Sequence, residues 1–84
     1  MEIQQFRYFL AAARYENLTK AAEDLHIAQP ALSQSIKRLE TELGVSLFDR
    51  KNHRIELNEQ GKLLKKRLIP ILESIANLKD ELRE

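Results

Sequence analysis

The sequence predicts a mainly α fold: a winged helix-turn-helix of three helices and a short two-stranded wing, followed by a long linker helix. Three observations carry this. Only two Gly and two Pro interrupt 84 residues; apolar residues recur at helical spacing over most of the chain; and one basic turn, Lys51-Asn52-His53, separates two short β-prone pieces.

Ile3, Phe6, Phe9, Leu10 and Ala13 trace an amphipathic first helix over residues 2–16, ended by Glu16 and Asn17. Thr19 is the expected cap of a short second helix with Ala22 and Leu25 inward, although the glutamate of a capping box falls at 23 instead of 22. After a break at His26 and Ile27, Pro30 is expected at the first position of helix three, where a missing N–H costs nothing. Leu32, Ile36, Leu39 and Leu43 gather on one face of that helix, and Gly44 closes it. Leu47 to Arg50 and Arg54 to Leu57 form the predicted hairpin. Asn58 caps the last helix, which runs toward Glu84, and Gly61 in its first turn is expected to permit close approach to the first helix. Pro70 inside it removes the bond to the Lys66 carbonyl, so a kink is expected near residues 66–70. The domain reading is 1–58 for the winged unit and 59–84 for the linker, or dimerisation, helix.

Composition excludes several classes of function. With no Cys, disulfides and thiolate sites are ruled out. His26 and His53 have no metal or carboxylate constellation around them, no glycine-rich phosphate loop occurs, and no Ser has a base nearby in sequence, so neither an enzyme nor a cofactor site is expected. No apolar run approaches the length of a membrane span, and the N-terminus lacks a signal-peptide pattern; a cytoplasmic location is expected. Formal net charge is +1, so the distribution of charge matters more than its sum.

Opposite the apolar face of helix three stand Pro30, Ser33, Gln34, Lys37 and Thr41. Gln34 has the bidentate geometry that pairs with adenine in a major groove, Gln29 and Ser33 sit near the helix start within reach of base edges or phosphates, and Lys37 adds a cation one turn on. The same stripe also fits any solvated surface helix. Arg50, Lys51 and Arg54 outnumber Asp49 at the hairpin, with His53 beside them, which suits a wing on a nucleic-acid backbone and equally a solvated turn. Lys62, Lys65, Lys66 and Arg67 form a further basic cluster. Phe6, Phe9 and Phe48 each fall on an apolar stripe and read as core.

The run from Phe6 to Gly61 resembles the DNA-binding domain of LysR-type bacterial transcriptional regulators. The residues that carry the resemblance include Ala21-Ala22, Leu25, Gln29-Pro30-Ala31-Leu32-Ser33, Ile36, Leu39-Glu40, Leu43-Gly44, Leu47-Phe48, Arg50, Leu57 and Gly61. The resemblance implies duplex DNA as partner, with base and phosphate contacts on Gln29, Pro30, Ala31, Ser33 and Gln34 and wing contacts near His53 and Arg54. The residues themselves add Lys37 to the base-reading candidates and Thr19, Lys20, Arg50 and Lys51 to the phosphate or wing candidates. Three positions depart from the usual pattern: Ala28 stands where Ser is frequent, Gln34 where Arg is frequent, and Arg54 is followed by Ile55 in place of Gly. The resemblance also implies that these 84 residues are the DNA-binding fragment of a longer regulator, whose small-molecule effector binds a C-terminal domain absent here.

In the last helix, Leu64, Leu68, Ile71, Ile75, Leu78 and Leu82 keep four-three spacing, a seam for another helix. The resemblance implies a second copy there, the two linker helices antiparallel, so that a two-fold homodimer is expected to read an interrupted inverted repeat. The competing reading is a helical protein-interaction module that uses this seam for a different partner.

Overall fold

The computed structural model describes residues 1–52 and 54–84. Its elements run α1 (Ile3–Tyr15), α2 (Leu18–Leu25), α3 (Gln29–Leu43), β1 (Phe48–Lys51), β2 (Arg54–Leu57) and α4 (Glu59–Arg83). The two strands pair antiparallel, from Phe48 opposite Leu57 to Lys51 opposite Arg54, so β1 begins one residue later than the sequence reading placed it.

Helix ends follow local chemistry, with two corrections. The cap of α2 is Asn17, not Thr19: the Asn17 side chain accepts from the Lys20 N–H at 3.0 Å. An amide oxygen on an extended residue reaches the third N–H of the helix, and Thr19 lies already inside it. Pro30 takes the second helical position of α3, because the helix starts at Gln29; its missing N–H is an orphan there too. Gly44 ends α3 in the left-handed region at φ 74, and Glu16 and His26 end α1 and α2 in that region as well. Asn58 caps α4 by accepting from the Gly61 N–H at 2.9 Å. The α4 assignment continues unbroken through Pro70.

One apolar core joins all of these elements. Phe9, Leu32, Ile36, Leu39 and Leu47 are its largest fully buried side chains, joined by Ala12, Ala21, Ala22, Phe48, Ile55 and Leu68. Small alanines on α1 and α2 let those helices approach each other closely. The wing enters this core through Phe48 and Ile55, and the Ile55 N–H reaches the Glu16 carbonyl at 3.4 Å. Leu64 and Leu72 pack against it from α4.

Two expectations about α4 are corrected by this packing. Leu68 is only 3% exposed; it belongs to the core of its own chain and has no surface left for an intermolecular seam. The close approach at Gly61 is to the loop before β1 and not to α1, because a Cβ there would collide with the Leu47 carbonyl and lie 2.7 Å from Leu57 Cδ2. The first half of α4 thus completes the core of the winged unit, so the expected boundary at residue 58 does not divide the core.

Candidate nucleic-acid interface

The apolar stripe of α3 decides which of its residues project. With Leu32, Ile36 and Leu39 buried, the opposite side must face out: Pro30, Ala31, Gln34, Lys37 and Arg38 are exposed, while Gln29 and Ser33 are half-buried. Thr41 is exposed too, but its hydroxyl donates to the Lys37 carbonyl at 2.9 Å and is partly committed within the helix. Ala28 contributes no side-chain cap to α3, so the amino end of the helix is open to an outside acceptor.

A groove lies on each side of this projecting helix. The first, about 480 Å³, is lined by Asn17, Leu18, Thr19, Gln29, Arg50, Lys51, Asn52, Arg54 and Ile55. It brings Thr19 and Gln29 together with the three wing cations, although those positions are widely separated in sequence. All three cations are exposed, and the first turn of α2 adds the positive end of a helix dipole. The second groove, about 290 Å³, runs between α3 and the start of α1, where Ala31, Gln34, Ser35 and Arg38 face Gln4, Gln5 and Tyr8. Its far end is acidic: Glu42 accepts from the amino group of Met1 at 2.7 Å and from Gln5 Nε2 at 3.3 Å. These bonds, that of the Met1 amino group foremost, hold the Glu42 carboxyl below its ordinary range.

The structure therefore divides the predicted base-reading set. Gln29 opens toward the wing, Ala31 and Gln34 open toward α1, and Pro30 and Ser33 line neither groove. Lys37 lies toward the carboxyl end of α3, in a shallow depression with Thr41 and Val45. Lys20 is exposed outside both grooves. His53, named as a wing contact, lies outside the described residues. Arg38 was missed by the sequence reading: it stands one turn beyond Gln34 on the same side, a signal the i, i+4 spacing carries.

A helix whose outer face projects clear of its own core has the shape that enters a duplex major groove, about 12 Å wide. Among the described residues no group of three or more His, Cys, Asp or Glu is arranged to hold a metal ion. No helix among them is long and apolar enough to cross a membrane.

Residues 3–62 match the family model described as bacterial regulatory helix-turn-helix protein, lysR family. Among curated relatives, the uncharacterized HTH-type transcriptional regulator YybE of Bacillus subtilis (strain 168) is 45% identical over 83 residues, covering 99% of this chain and 28% of the relative. The HTH-type transcriptional regulator BsdA of the same organism is 44% identical over 85 residues, covering 100% and 29%. The chain thus spans less than a third of the length of these relatives. Among solved structures, the CbnR_DBD–DNA complex superposes with a TM-score of 0.94 at 36% identity, covering 99% of this chain and 95% of that one. The BenM_DBD/benA site 1 DNA complex gives 0.94 at 34% identity, with 99% and 96% covered.

Proposed function

This chain belongs to the lysR family of bacterial regulatory helix-turn-helix proteins, and from that premise we propose that it binds duplex DNA sequence-specifically as the DNA-binding part of a transcriptional regulator. The observation that carries the reading is the projection of α3 between two grooves, one of them lined by Arg50, Lys51 and Arg54. In this reading Gln34 and Gln29 meet base edges, Ser33, Pro30 and Ala31 let the helix lie close against them, and Lys37 and Arg38 reach phosphates toward the end of α3. Thr19 and the wing cations clamp one backbone strand. The work is binding, with no chemistry performed on the DNA. The likeness to two DNA-binding domains solved on DNA supports it.

The reading includes a homodimer through α4, which gives residues 59–84 their separate role. Past the core, Ile71, Leu78 and Leu82 are 54%, 53% and 77% exposed, with Ile75 half-buried between them. Exposed leucines and isoleucines at four-three spacing are an apolar cost that pairing removes. Charge favours the antiparallel sense. Before Pro70, α4 carries Lys62, Lys65, Lys66 and Arg67 against Glu59; beyond it, Glu73, Asp80, Glu81 and Glu84 outnumber Lys79 and Arg83. An antiparallel pair sets the basic half of each helix beside the acidic half of the other. Small-molecule sensing is placed outside these 84 residues, and a cytoplasmic setting follows from the reading as a DNA binder.

Selection of bound duplexes from a random pool at near-physiological salt tests this. Enrichment of an interrupted inverted repeat supports it. Binding that is salt-sensitive but enriches no sequence would reduce the chain to a polyanion binder. Absence of binding, with self-association or protein capture insensitive to salt, would favour the interaction module.

A further inference from the structure

The segment Ser46–Leu47 is gripped from two helices at once. From α3, Glu40 Oε2 accepts the Leu47 N–H at 2.6 Å; the Ser46 hydroxyl lies 3.3 Å from the same oxygen and has a nearer acceptor in the Phe48 carbonyl at 3.1 Å. The backbone carbonyl of Glu40 also takes the N–H groups of Gly44 and Val45, at 2.8 and 3.2 Å. From the start of α4, Asn58 Nδ2 donates to the Ser46 carbonyl at 2.9 Å, and the Asn58 N–H donates to the Leu47 carbonyl at 3.0 Å. Gly61 lies so close over that carbonyl that no Cβ fits. Leu47 itself is buried, so the gripped peptide cannot slide without disturbing the core.

The Ser46–Leu47 peptide unit, held by a carboxylate at its N–H and a carboxamide at its carbonyl, with the next carbonyl taken by the Asn58 N–H, forms a rigid joint between α3 and α4. The Leu47 bond to Glu40 is charge-assisted and short. Leverage makes the joint consequential. α4 leaves the core after Leu72 and runs on to Arg83, about 16 Å at ~1.5 Å per residue, so a change of about 10° in its direction moves its far end by about 3 Å. That is close to one base-pair step of ~3.4 Å.

We propose that Glu40 and Asn58 are positioning residues that set the angle between α3 and α4 and, through it, the spacing between half-sites that a paired protein accepts. The spacing part rests on the DNA-binding reading above; the angle part does not. Neither residue needs to touch DNA. Each acts through Ser46–Leu47.

Because the chain contains no Cys, introduced cysteines can be spin-labelled uniquely. An Arg38→Cys, Lys79→Cys pair reports the distance from α3 to α4, and an Arg7→Cys, Arg38→Cys pair reports α1 to α3 as a control. Labelled protein is diluted into unlabelled protein so that only distances within one chain are read. The background is compared with Glu40→Ala, Glu40→Gln and Asn58→Asp; the last keeps an oxygen to cap Gly61 and loses the donor to Ser46. The expected result is a shifted or widened α3–α4 distribution with the control pair unchanged. On unlabelled protein, preference for one spacer length over its neighbours is expected to fall about tenfold, as loss of a charge-assisted bond allows, with affinity for a single half-site retained. Should Glu40→Ala fail to fold, Glu40→Gln and Asn58→Asp still decide. An unchanged α3–α4 distribution accompanied only by a lower melting temperature would overturn the proposal. A widened distribution with intact spacer preference would overturn its spacing half, and a parent chain that binds no duplex would overturn the proposed function while leaving the angle to the distance measurement.

Discussion

Phe9 of α1 and Phe48 of β1 meet with ring centroids 5.5 Å apart and planes inclined at 53°. The tilt brings the edge of one ring toward the face of the other, the arrangement aromatic pairs prefer. Through this contact the wing, four residues per strand, is anchored in the same core that carries α3. An isolated hairpin of that size would not hold its shape in water.

Truncating either ring therefore reaches beyond its own contacts. Phe48→Ala is expected to destabilise the fold by about 3–5 kcal/mol, as for other large-to-small core changes. Urea unfolding measures it, and amide exchange in β1 and β2 should rise more than in α2. Equal protection loss throughout would show that the wing does not depend on this pair.

The two glycines make opposite demands. Gly61→Ala gains about 1 kcal/mol of helix propensity but forces a Cβ against the Leu47 carbonyl, so a net loss of about 1–3 kcal/mol is expected. Gly44→Ala meets open space at φ 74, and its cost is the left-handed backbone alone, about 1–2 kcal/mol. Both should lower the melting temperature, and in NMR spectra only Gly61→Ala should perturb the amide chemical shifts around Ser46 and Asn58.

Base reading and phosphate binding separate by their dependence on sequence and salt. Gln34→Ala should relax preference at one base pair of each half-site by about 1–3 kcal/mol. Arg54→Ala should weaken binding to all sequences alike and reduce the salt slope by about one unit. Equal loss on every sequence for Gln34→Ala would make that residue a phosphate contact instead.

Along α4, burial predicts two phenotypes from chemically similar positions. Leu68→Ala should cost about 2–5 kcal/mol at any protein concentration, because it empties a place in the chain's own core. Ile75→Asp or Leu78→Asp should instead shift sedimentation toward monomer and weaken binding to the two-half-site duplex, with single-chain folding retained. A dimer unchanged by either substitution would show that the pairing surface lies elsewhere.

Acid should loosen the contact between the start of α1 and the end of α3. The folded carboxyl of Glu42 titrates below its ordinary value of 4.5, because the Met1 amino group and then Gln5 hydrogen-bond its charged form. A depressed folded value means that the contribution is complete above the unfolded value and is lost as pH falls through the folded one. The melting-temperature difference between the parent and Glu42→Gln should therefore be largest above about pH 5 and shrink on acidification below 4.5. A difference independent of pH would remove the ionic part of this contact. Glu42 lies at the surface, so the effect should also diminish with salt.

Most of the local architecture was legible from neighbouring residues alone. Gly44 and Asn58 act at helix ends through their own backbone freedom or side-chain reach, and the leucines of α3 define its inner face by periodicity. These are interactions among residues a few positions apart, and their physics is written in the order of the chain. The caps show where that legibility thins: Asn17 and Thr19 are both good capping residues two positions apart, and the actual start of α2 chose between them.

What only the tertiary structure decided depends on which surfaces meet. Periodicity placed Leu68 and Leu78 on one stripe of α4, but the winged unit covers the first and leaves the second exposed, because a small domain reaches only so far along a helix that outruns it. Gly61 was legible as a close approach, yet its neighbour proved to be the Leu47 carbonyl. Gln29 and Gln34 share one helix, yet they open onto different grooves built by β1 and β2 on one side and α1 on the other. Glu40 was legible only as one of the positions that carry the family resemblance; nothing in its local sequence announces that its carboxylate will meet the backbone at Leu47. Periodicity and caps are set by bonds within one element, whereas cover, grooves and joints arise where separate elements are brought together by a common core.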